Sequence, residues 1–131
     1  MTRPVDAASE RYVEDYCALD PVTATFVGVS GHDDRLTDLS PDGFAAREEL
    51  TRRALAEVTA ATPVDEREAV ARDAFLERVG LEVEMHDAGE IRSRMSVISS
   101  ELHAVRQVFD LMDRQGEQGW SDVDSRLASV P

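Results

Sequence analysis

Apolar residues recur at helical spacing along most of the chain, and the breaks between these runs fall on proline, glycine and serine. Ala8, Tyr12, Tyr16 and Leu19 share one face, which predicts a first helix over Val5 to Leu19. Asp20-Pro21 then sets an N-cap and a first helical position for a short helix through Val22, Phe26 and Val27, ended by Gly28. Gly28 to Leu39 is glycine-rich and acidic and reads as a polar connection. Ser40-Pro41 repeats the cap signature and opens a helix to about Ala60, broken by Thr62-Pro63.

Asp65 and Glu68 form a capping pair for the longest helix, expected to run to about Ala88. That helix carries two apolar stripes, one through Phe75, Val79, Val83 and His86, the other through Ala74, Leu81, Met85 and Ala88. A surface helix normally shows one stripe, so two predict a helix covered on both sides. Met95 to Ser100 reads as extended, ending at a serine cap, and a helix follows from Glu101 to Met112. Asp113 to Gly119 reads as a polar loop, and Ser121 to Asp124 as a capping box for a last short helix ending at Val130-Pro131. The expected fold is all-α: one domain over residues 1–131, an array or irregular bundle of five to six helices with no substantial sheet.

Charge narrows the function classes. With 27 acidic against 14 basic residues the net charge is −13, which repels phosphate backbones and anionic membranes, so neither nucleic acid nor membrane is an expected partner. Every basic residue is an arginine, and the arginines stand scattered among acids, as in Arg47-Glu48-Glu49, which reads as solvated helix faces. Cys17 is the one cysteine, so an internal disulfide is excluded and a buried free thiol is expected. The N-terminal residues lack an apolar signal core, which leaves the cytoplasm as the expected compartment.

Three constellations carry possible chemistry. Asp38, Ser40, Asp42 and Gly43, followed by Glu49, fit the calcium-loop template of oxygen ligands, a glycine turn and a late bidentate Glu. Pro41 falls inside that loop, Ala45 replaces its bulky apolar residue, and the preceding flank is not helical, so Ser40 as a simple N-cap is the plainer reading. Glu82, His86 and Glu90 are spaced by four, which on one helix places them on one face as divalent-metal ligands. The competing reading is a boundary histidine beside Val79 and Val83. His32-Asp33-Asp34 sets an imidazole beside two carboxylates on a loop, a pattern that more often closes a turn, and His103 shows no partner. None of these completes a catalytic site, so no catalytic or cofactor-binding residue is assigned.

Several segments together resemble a known family: Arg11 to Thr25 with its Leu-Asp-Pro, Gly28 to Gly43 with its Gly-His-Asp-Asp-Arg-Leu, Val97-Ile98, Val105 to Met112, and Arg126 to Pro131. They are similar to the N-terminal region of the bacterial domain-of-unknown-function 885 proteins. Members are several times longer, mostly helical, and carry a C-terminal zincin-like His-Glu-x-x-x-x-His type segment, for which they are regarded as candidate zinc metallopeptidases. The resemblance implies that this chain is the non-catalytic scaffold end of such a protein, with zinc belonging to a C-terminal catalytic half that this sequence lacks. The partners it implies are that catalytic half or, as an alternative, self-association of a stand-alone interaction module through surplus apolar helix faces. A small calcium-binding protein using Asp38 to Glu49 is the second alternative. If Ser40 is only a cap, the melting temperature will not move at millimolar calcium; a rise that Glu49→Ala abolishes would establish the calcium loop instead.

Overall fold

A computed structural model describes residues 3–130. Among the described residues the chain forms seven helices and no strand, so the fold is all-α as the periodicity predicts. The helices are α1 (Pro4–Leu19), α2 (Pro21–Val27), α3 (Pro41–Ala60), α4 (Glu66–Asp87), α5 (Glu90–Ser93), α6 (Glu101–Leu111) and α7 (Gly116–Ala128). The chain divides into two compact units, Met1–Asp15 with Phe44–Ser93, and Tyr16–Gly43 with Arg94–Pro131. No helix among the described residues is long and apolar enough to cross a membrane.

In the first unit, Val5, Ala8 and Val58 form a buried core against which Ala61, Ala71, Phe75 and Leu76 pack. Tyr12 meets Phe75 edge-on, with ring centroids 5.4 Å apart and planes at 74°. Of the two stripes on α4, the one through Phe75 and Val79 is buried or half-buried, and the other leaves Ala74, Leu81 and Ala88 exposed. The expected two-sided cover is therefore absent from the second stripe.

Helix ends leave backbone groups without intrahelical partners, and α4 supplies partners for two neighbours. The Glu68 side chain is fully buried, and its Oε1 accepts from Val5 N (2.8 Å) and Asp6 N (3.2 Å) at the start of α1. Its Oε2 accepts from Val64 N at 2.8 Å, while Glu68 N donates to Asp65 Oδ1 at 2.8 Å. The capping pair read from sequence thus forms, with one carboxylate reaching a second helix as well. Arg72 donates to the carbonyls of Val58 (3.2 Å) and Thr59 (2.7 Å), closing the end of α3. Arg3 grips Asp65 with two bonds of 2.6 and 3.0 Å, and that guanidinium, followed by the Glu68 N–H, holds the Asp65 carboxyl down at about 2.

In the second unit α2 packs on α6, and Val22, Ala24 and Val108 are buried. Asp20 caps α2 as expected, accepting from Thr23 N at 2.9 Å, and Gly28 ends it. The last helix starts six residues earlier than the capping-box reading placed it, at Gly116 rather than after a cap at Ser121, so Ser121 lies inside α7. Gly119 permits this early start, because a Cβ there would sit 2.7 Å from the Asp113 carbonyl oxygen. The expected end at Val130-Pro131 is two residues beyond the observed Ala128, and Pro131 lies outside the described residues. Met95 to Ser100 is irregular, and Ser96 Oγ accepts from Ile98 N (3.1 Å) and Ser99 N (3.4 Å).

Two outcomes follow from the first unit. Glu68→Ala leaves three backbone donors without an acceptor and is expected to destabilise the chain by about 3 kcal/mol in denaturant unfolding. A loss under about 1 kcal/mol would show that water replaces the carboxylate. Asp65 has a folded value depressed from 3.8 to about 2, so the stability it adds is present above pH 3.8 and lost as pH falls toward 2. Asp65→Asn keeps a cap acceptor but not the charge. The gap in stability between wild type and this variant should therefore close across that pH window; a gap that stays constant would contradict the Arg3 pairing.

Candidate functional site

The residues with the most organised polar environment lie on the loop between α2 and α3 and on α7. Arg126 of α7 has no exposed surface. Its Nε donates to the Arg35 carbonyl at 2.8 Å, and its Nη1 donates to Thr25 Oγ1 at 3.0 Å. Its Nη2 donates to the carbonyls of His32 (2.9 Å) and Pro21 (3.3 Å) and stands 3.9 Å from Asp33 Oδ1. Thr25 in turn donates to Asp33 Oδ1 at 2.8 Å. One planar cation thus ties the end of α2, the loop and α7 together. Burial pushes the guanidinium's pKa down, and Asp33, Asp34 and Asp122 push it back up.

The far end of the loop is held separately. Thr37 Oγ1 accepts from Val22 N at 3.1 Å and donates to Asp20 Oδ1. The loop read as a plain polar connection is therefore fixed at His32, Asp33, Arg35 and Thr37. Beside it lies a groove of about 570 Å³ lined by residues 35–40 with Val105 and Ser129. A smaller depression of about 270 Å³ is lined by Gly31, Asp33, Asp34, Gln118 and Asp122.

The residues singled out from sequence fall as follows. Asp38 Oδ1 accepts from Ser40 N at 2.8 Å, and Ser40 Oγ accepts from Gly43 N at 3.2 Å, the bonds of a turn leading into an N-cap. A Cβ at Gly43 would meet the Asp38 carbonyl oxygen at 2.2 Å, so this approach requires glycine without any ion. Asp42 lies in the first turn of α3, and Glu49 is an exposed residue of the same helix, assigned to the first unit. Glu82 and His86 are on α4, whereas Glu90 opens α5 after a break at Ala88 and Gly89, so one helix does not carry all three. The His86 side chain is 5% exposed and its Nδ1 lies 3.6 Å from Glu48 Oε2 on α3, as a boundary histidine would. Arg52, then His86 and Arg92, hold the Glu48 carboxyl below its usual range. Among the described residues no three His, Cys, Asp or Glu side chains are grouped so that they could hold a metal ion.

His32 Nδ1 is 2.7 Å from Arg35 Nη2, and Asp33 faces Thr25 and Arg126, so the triplet closes the loop. His103 Nδ1 lies 2.8 Å from Ser100 Oγ, a partner not visible in the sequence. Cys17 is buried, and that burial, followed by Asp20, raises its thiol pKa, which makes it less reactive. Two arginines read as solvated are buried: Arg47, 7% exposed with its guanidinium 4.8 Å from the centre of the Phe44 ring, and Arg126, the residue missed at this site. Its signal was position, since Val123 and Arg126 share one side of α7, turned toward the interior.

Compared with known proteins, residues 21–131 match the family model described as a bacterial protein of unknown function, DUF885. No curated protein matches the chain.

Replacing Arg126 by Met keeps the length and removes every donor. This is expected to cost about 3 kcal/mol or more, because the buried carbonyls lose their partners. Arg126→Lys should recover only part, since an ammonium cannot span the same acceptors. Full recovery by lysine would show that charge, not the fork, matters.

Proposed function

The chain belongs to the bacterial DUF885 family, and on that premise we propose that it is a non-catalytic helical scaffold within a larger zinc-hydrolase-like protein. The observation that carries this reading is the surface of the stretch after α5. Met95, Val97, Ile98 and Leu102 are 87%, 93%, 81% and 72% exposed. Each forgoes about 1.5 kcal/mol or more by remaining in water. Leu111, Trp120 and Leu127 add exposed apolar area in the same unit. Apolar surface of this extent is the mark of a face that other polypeptide covers.

The zinc implied by the family resemblance does not fit the side chains of this chain, given that no suitable ligand group occurs among the described residues. In this reading any metal-assisted hydrolysis belongs to other polypeptide. The part played by these residues is to present a folded, acidic surface and to supply packing for the catalytic part. Self-association is the other way to cover the apolar face, but it brings a charge of −13 against another −13.

Reading the gene on past the codon for Pro131, in all frames, is the first test. A frame carrying a His-Glu zinc motif is expected, and a stop with no such segment nearby would contradict the reading. With the longer protein in hand, Ile98→Asp with Leu102→Asp should leave the melt of the 131-residue chain within roughly 0.5 kcal/mol, since both sites are exposed. The same pair should lower zinc-dependent peptide hydrolysis by the longer protein at least about tenfold, equivalent to about 1.4 kcal/mol of packing. Unaltered hydrolysis would remove the scaffold role.

A further inference from the structure

We propose that the Arg94–Met95 peptide bond is a cleavage site for an arginine-specific endopeptidase of the trypsin class, and that the cut chain stays assembled. An endopeptidase takes its substrate as an extended run of several residues, so exposed irregular segments are cut and helices are spared. The chain contains no lysine, and among the described residues the arginines outside the helices are Arg3, Arg35, Arg94 and Arg114. Three of these are held against cleavage. Arg3 is followed by Pro4, whose ring removes the amide N–H at the bond and fixes φ, and its guanidinium is bonded to Asp6 and Asp65. The Arg35 carbonyl accepts from the buried Arg126 Nε at 2.8 Å. Arg114 donates to the Phe109 carbonyl at 2.5 Å, and the amide after its bond, Gln115 N, donates to Asp113 Oδ1 at 2.9 Å.

Arg94 stands in a different setting. It is exposed, and so is every residue from Arg92 to Ser99. Before the bond, α5 is a single turn, Glu90–Ser93, and an isolated turn opens at little cost. Beyond the bond one exposed hydroxyl, Ser96 Oγ, accepts from Ile98 N and Ser99 N at 3.1 and 3.4 Å. Little structure has to be lost before this run lies extended. Hydrolysis then adds water across the bond, the hydroxyl to the Arg94 carbonyl carbon and the hydrogen to the Met95 nitrogen, leaving a carboxylate and an amine. The contacts that hold residues 95–131 within the second unit lie away from the cut. Helix α6 packs on α2, with Val22, Ala24 and Val108 buried, and Arg126 reaches back to Pro21, Thr25, His32 and Arg35. The cut therefore leaves two chains joined by a buried cation and an apolar helix contact. The inference stands apart from the scaffold reading, since it needs only the exposure of this segment in the 131-residue chain.

The test is brief digestion of the native chain with trypsin, followed by intact-mass measurement and size-exclusion chromatography. The first products are expected to be residues 1–94 and 95–131, eluting together at the volume of the uncut chain and separating in denaturant. The melting temperature of the cut protein should rise with concentration more steeply than that of the uncut chain, as mass action requires of two associated chains. Arg92→Gln with Arg94→Gln removes both arginines of the exposed run and should lengthen the life of the intact chain at least about tenfold. A first cut after any other arginine, or an unchanged lifetime in the double variant, would overturn the cleavage site. Fragments that elute apart without denaturant would overturn the assembly, as would a melt no more sensitive to concentration than that of the uncut chain.

Discussion

The second unit depends on one buried guanidinium. Taking a cation out of water costs several kcal/mol unless its donors are met, and Arg126 meets three carbonyls and one hydroxyl while Asp33 balances its charge. Two of the carbonyls belong to His32 and Arg35 of the loop, which no helix takes up, and the third to Pro21 at the start of α2. Remove the cation and the His32 to Arg35 part of the loop loses the group that ties it to α7, while Thr37 still holds the far end to Asp20 and Val22. The first unit uses the inverse device. The buried Glu68 carboxylate collects N–H groups from the start of α1 and the approach to α4. In both cases a charged side chain settles backbone groups that helix ends and turns leave over.

This also explains what could be read from the sequence. Helix boundaries set by Asp20-Pro21, Ser40-Pro41 and Asp65 were legible, because caps are local chemistry spanning three or four residues. Ser121 misled because a capping box is a local pattern, whereas the early start of α7 involves the close approach of Gly119 to the Asp113 carbonyl. Arg126 and Glu68 were legible only in part. Their partners lie as far as 105 and 63 residues away, and no periodicity reports a contact of that range. The metal candidates failed to converge for a related reason. The spacing of four from Glu82 to Glu90 assumes an unbroken helix, and Gly89 at φ 75° breaks it. The groove was not legible at all, since it arises where a non-helical segment passes Val105 and Ser129.

The two charged anchors and the surplus apolar surface belong to one picture. Residues 16–43 and 94–130 devote their polar side chains to holding an irregular loop in place, and several of their large apolar side chains remain in water. The fixed loop and the uncovered apolar stretch thus lie in the same unit.

If the second unit is built on its buried guanidinium, Arg126 must hold the loop in solution. The direct measurement is the Arg126 side-chain Nε–H signal in a nitrogen-15 spectrum, with its scalar coupling to the Arg35 carbonyl across the hydrogen bond. A slowly exchanging Nε–H with a resolved coupling is the predicted result, since the donor is 2.8 Å from its acceptor and the side chain has no exposed surface. An Nε–H that exchanges as fast as those of exposed arginines such as Arg78 would contradict it, and the fixed loop and its groove would go with it.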